Sequence, residues 1–121
     1  MSHSNTDWPA WTKELTAGLK NLRGGAPDVM KAFGAMAAAA TAPKALDTKT
    51  KELLALGIAV AVRCDDCIAF HVHAALKNGA TREEILETLG MAIYMGAGPS
   101  VMYASHALEA FGQFQTANNS G

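Results

Sequence analysis

Two cysteines, Cys64 and Cys67, stand three residues apart in a chain of 121 residues that holds no other cysteine. At the start of a helix this spacing puts both thiols on one face, close enough to form a disulfide. Free N–H groups and the helix dipole there stabilise a thiolate. His71 follows Cys67 by four residues, one turn further along the same face. An imidazole in that place takes a proton from the Cys67 thiol. Cys64, Cys67 and His71 thus read as a partner thiol, an attacking thiol and a base. Glu52 joins them through a hairpin argument. If the helices before and after Arg63 pack antiparallel, position 52 lies opposite 74 or 75, about one turn (~5 Å) from His71, a gap that a glutamate side chain or one water can bridge. A carboxylate facing inward from so apolar a helix needs a partner. A partnered carboxylate orients a histidine and supplies a second proton carrier.

Each residue has a plainer reading. The cysteines are then two small buried side chains, His71 a hydrogen-bonded core histidine, and Glu52 a solvated residue of a first helical turn. A zinc half-site is a further rival, with Cys64, Cys67 and His71 or His73 as ligands. Zinc sites usually pair one CxxC with a distant second pair. The chain has no second pair, so a complete site needs His106 or another subunit. His73 points away from the Cys67 face and reads as structural or interfacial. His106 and Tyr103 are placed to line the pocket from the last helix. Asp65 and Asp66 read as helix caps that also oppose thiolate formation.

The elements that must position these groups are helical. Strand signals are nearly absent, and the expected fold class is all-α. It is a compact six-helix domain whose central antiparallel helix hairpin carries the CxxC. Asp7 caps a helix with Pro9 in its first turn, ending at Gly24-Gly25. The second helix spans about Asp28 to Ala40. The third runs from about Lys49 to Val62 behind Asp47-Thr48, and its interior, apolar on all sides, reads as buried or interfacial. The fourth ends at Asn78, with Gly79 in the C′ position. Thr81 and Glu84 form a capping box for the fifth. Gly96-Ala97-Gly98-Pro99 breaks it, and a sixth runs from about Ser100 to Phe114. Residues 1–121 read as one domain with its core in 46–115 and a polar, frayed tail over 116–121.

Composition narrows the function classes. The net charge is −1, without the basic excess of a nucleic-acid footprint or a membrane-surface binder. No apolar run reaches the roughly 18 residues of a membrane span. The start, Met1 to Asp7, is polar and does not read as a secretory signal. The expected location is cytoplasmic, where a close cysteine pair is redox or metal chemistry rather than a structural bridge. Charged residues are 17% and aromatics 7%, which suggests surface covered by a second copy of the chain.

Glu52, Cys64-x-x-Cys67-x-x-x-His71, Gly79-Ala80-Thr81 with Glu84-Ile85, and Gly96-x-Gly98-Pro99 resemble the AhpD-like branch of the carboxymuconolactone decarboxylase family, over about Leu46 to Ala110. The resemblance implies an all-helical fold, assembly as trimers or as hexamers built from them, and alkylhydroperoxidase or disulfide-reductase activity without metal, flavin or other cofactor. It assigns peroxide attack to Cys67, resolution as a disulfide to Cys64, and proton relay to His71 and Glu52. The implied partners are a small-molecule hydroperoxide and a dithiol reductant of lipoyl or thioredoxin type. Asp66 departs from the pattern: in AhpD itself a histidine lies between the cysteines. The decarboxylase branch, a lactone enzyme without the cysteine pair, is the first rival function. A non-enzymatic thiol redox or metal-binding module is the second.

Overall fold

A computed structural model describes residues 6–120. The first five residues of the polar start, and Gly121 at the end of the expected tail, lie outside the described residues. Within that range the elements are five α-helices, α1 (Trp8–Gly25), α2 (Pro27–Thr41), α3 (Thr48–Ala61), α4 (Asp65–Lys77) and α5 (Arg82–Ser120). The all-α expectation holds among the described residues.

Local signals place most helix starts. The Asp7 carboxylate accepts from the Ala10 N–H at 3.0 Å, and Pro9 occupies the first turn of α1. Asp47 caps α3 by accepting from the Thr50 N–H at 2.8 Å. Thr81 and Glu84 form the reciprocal capping box: the Thr81 N–H donates to Glu84 at 2.9 Å and the Glu84 N–H to the Thr81 hydroxyl at 3.1 Å. Gly79 takes φ +91°, the left-handed geometry that ends α4 cheaply only at glycine.

Five helices replace the expected six. The chain does leave helical geometry at the foreseen break, but at one residue, Ala97 (φ 54°, ψ −138°). Helix resumes at once, because Pro99 falls in the first turn of the resumed segment, where its missing N–H has no intrahelical bond to lose. The result is one kinked element. A Cβ at Gly96 would collide with the Ser100 hydroxyl, so any larger residue there requires the Ser100 side chain to move. α5 continues through residues 116–120. Thr116 to Asn119 are exposed, and the helix carries on from Phe114, which anchors it in the core.

The core lies where α3, α4 and α5 converge. Leu56 and Val60, Ile68 and Val72, and Ile85 and Phe111 are fully buried there. Trp8 joins them from α1, outside the expected 46–115 stretch. Its backbone N–H donates to Gln113 at 2.7 Å and its indole N–H to Glu109 at 2.8 Å, which fastens α1 to α5. The all-round burial expected of α3 is half right within this chain. Leu56, Ala59 and Val60 are buried, but Leu54 and Ile58 are exposed, as is Val62 just past its end. α2 has no buried residue at all; Val29 is 70%, Phe33 56% and Met36 60% exposed.

Candidate active site

Three residues, 62–64, connect α3 to α4, and Arg63 takes φ 61° to turn the chain so tightly. Cys64 ends that turn as the N-cap of α4. Its sulfur accepts from the Cys67 N–H at 3.1 Å. The two cysteines are joined as a disulfide with their Cα atoms 5.2 Å apart, so the bridge closes over the first turn of α4. This corrects the reading of Asp65 and Asp66 as caps. They occupy the first turn, but the cap is Cys64.

Glu52 is 92% buried in α3, its side chain aimed at α4 (relative exposure 8%). A carboxylate so placed costs several kcal/mol unless it is partnered. The partner is His71, whose Nδ1 lies 2.7 Å from Glu52 Oε1. The contact is direct, the glutamate side chain itself spanning the gap between the helices. An ionised carboxylate only accepts, so Nδ1–H donates to it and Nε2 is left as the basic nitrogen. The His71 side chain is about one-third exposed, so that nitrogen can meet a solute. Ile68, Ala69, Val72 and Ala75 point the rest of α4 into the core. Leu53 and Cys67 pack at its edge.

The other singled-out residues make contacts of their own, outside the Glu52–His71 pair. His73 stacks on Phe114, ring centroids 4.5 Å apart and planes within 6°. Burial lowers its pKa from the ordinary 6.5, and Lys77 adds to that. His106 and Tyr103 pack together at 4.9 Å. His106 bonds Asp65: Nδ1 to Oδ1 is 2.8 Å. That pair was not foreseen, since 41 residues separate its members and no local pattern links them. Asp66 has one carboxylate oxygen buried without a hydrogen-bond partner. Among the described residues, no group of three or more His, Cys, Asp or Glu side chains is arranged to hold a metal ion.

A carboxylate–imidazole pair one turn from a CxxC at a helix start can deprotonate a thiol and hold the proton. Known proteins share this frame. A crystal structure of a carboxymuconolactone decarboxylase family protein from Legionella pneumophila, in its apo form, superposes with TM-score 0.86 at 53% identity, covering 88% of this chain and 96% of that one. A Thermotoga maritima member, described as having a possible part in antioxidative response, gives TM-score 0.83 at 29% identity over 91% of this chain and 94% of its own. An uncharacterised protein of Cupriavidus necator is 47% identical over 85 residues, 70% of this chain and 75% of that protein. The model of the carboxymuconolactone decarboxylase family matches residues 27–110. With its CxxC pair, Cys64 and Cys67, this chain belongs to the carboxymuconolactone decarboxylase family.

Proposed function

We propose that this chain is a thiol-dependent peroxidase or disulfide oxidoreductase of the AhpD-like type. One observation carries the reading: the Cys64–Cys67 bridge caps α4, and the Glu52–His71 pair stands one turn further along it. His71 Nε2 takes the Cys67 proton while Glu52 holds the ring. The Cys67 thiolate attacks a hydroperoxide, breaking the O–O bond and leaving a sulfenic acid and an alcohol. Cys64 then attacks the Cys67 sulfur, water leaves, and the disulfide forms. A donor dithiol of lipoyl or thioredoxin type returns two electrons and two protons. Neither step calls for a metal or an added cofactor.

We also propose that the chain works as a homo-oligomer, a trimer or a hexamer built from trimers. α2 supports this, since it exposes its apolar residues and buries none of them. No helix among the described residues is long and apolar enough to cross a membrane. A cytoplasmic, reducing setting suits a dithiol that must be regenerated.

The test offers the protein an organic hydroperoxide with lipoamide, glutathione and thioredoxin systems in turn. Consumption should occur with at least one dithiol system. It should vanish in Cys67→Ser, whereas Cys64→Ser should react once and stop as a sulfenic acid. Sulfenic-acid labelling of Cys67→Ser but not of Cys64→Ser would reverse the two roles. A lactone decarboxylation that survives loss of both cysteines would replace the reading altogether.

A further inference from the structure

The Asp65–His106 pair takes no part in the chemistry above, yet it stands at the helix start that carries the disulfide. Asp65 is the first residue of α4 and directly follows Cys64. A carboxylate there competes with a thiolate for the positive end of the helix and repels it as a like charge. Solvent relieves little of that repulsion, since the His106 and Asp65 side chains are only 12% and 20% exposed. His106 reaches over from α5 and meets the Asp65 oxygen at 2.8 Å. The carboxylate accepts, so His106 Nδ1 carries the proton.

We propose that His106 is a positioning residue for the thiol pair: it holds the Asp65 carboxylate, draws that negative charge off the start of α4, and so lets a thiolate form there. This rests on the dithiol reading of Cys64 and Cys67. It works through Asp65 and needs no contact between His106 and sulfur. Among the described residues, further ionisable groups on the elements that meet here include Arg63 beside Cys64, Asp66 and His71 on α4, Glu52 from α3, and Tyr103 and Glu109 from α5. From α1, Trp8 presents an indole N–H, which Glu109 takes. These groups stay constant through the variants below.

The experiment is thiolate-selective alkylation by iodoacetamide of the fully reduced, full-length protein across the thiol titration. His106→Ala should raise the titration midpoint and slow alkylation at neutral pH about tenfold, the effect of roughly one pKa unit. Asp65→Asn should lower the midpoint or leave it in place. The double variant should return to within about twofold of Asp65→Asn, since the charge that His106 restrains is then gone. Equal slowing by His106→Ala in the Asp65→Asn background overturns the proposal, because His106 would then act without Asp65. An unchanged midpoint in folded His106→Ala also overturns it. If His106→Ala does not fold, Asp65→Asn alone decides, and a raised midpoint there is fatal. Alkylation reads the thiols whether or not hydroperoxide is consumed. The expected pattern in a protein inert to hydroperoxides therefore sinks the peroxidase reading and leaves this one standing.

Discussion

α2 and α3 are neighbours in the chain, both apolar, and opposite in what they do with that apolarity. α3 buries Leu56, Ala59 and Val60 against α4 and α5 and carries Glu52 inward. α2 points Val29, Phe33 and Met36 at solvent. A helix of 15 residues is marginal in water unless packing holds it. Apolar content therefore does not say where a helix packs. It says only that the helix will be covered, by its own chain at α3 and, in our proposal, by another copy at α2.

The largest expected effect tests the α3 side of that contrast. Leu56 is fully buried between α3 and its partners. Leu56→Ala should cost about 2–5 kcal/mol of unfolding free energy, measured by urea denaturation, from lost burial and the cavity left behind. A cost below about 1 kcal/mol would mean that this core is looser than its packing indicates.

The next effect concerns what α3 and α4 hold between them. His71→Ala should slow reaction with hydroperoxide about 10²-fold, some 2.7 kcal/mol of barrier, while leaving the fold in place. It also leaves Glu52 buried without its partner, so Glu52→Gln in the same background should recover stability but not rate. Stopped-flow kinetics and a thermal melt separate the two.

α2 should respond in the opposite way. Phe33→Lys changes a side chain that is more than half exposed, so helix content by circular dichroism should stay within error of the parent. The light-scattering mass should fall toward the 12.7 kDa of one chain. A parent protein already at that mass would refute the oligomer and leave α2 exposed for a reason we have not identified.

The smallest effect is a slope in pH. Burial against Phe114 depresses the His73 pKa from 6.5. The unfolded chain then binds the proton more readily than the native one. Stability is at its full value above pH 6.5, falls as pH drops through 6.5, and levels off below the depressed native value. His73→Phe should flatten that segment of the stability–pH curve.

Much of the fold was legible because its signals are local. Asp7, Asp47 and the Thr81–Glu84 box satisfy N–H groups within three residues of themselves, and Gly79 answers a backbone angle at its own position. The Cys64, Cys67, His71 stripe follows from helical spacing for the same reason. Glu52 needed one tertiary assumption, a tight turn near Arg63. With that turn in place, the Glu52 side chain reaches His71 directly, as the hairpin argument allowed. At Ala97 the local signal was read correctly as a break, but nothing local says whether helix resumes in the next residue.

What the sequence determined by itself is the all-helical class, most helix starts, the paired thiols and the base one turn away. Each depends on contacts within about four residues, and chain geometry enforces those in any helical fold. The tertiary structure decided the rest. It chose which face of α3 is covered and left α2 without a buried residue. It brought Trp8 and His106 together from opposite ends of the chain, their ring centroids 6.4 Å apart. It set Asp65 against a histidine 41 residues away. Those outcomes depend on how apolar area is shared among all the helices at once, and so no stretch of sequence read alone could express them.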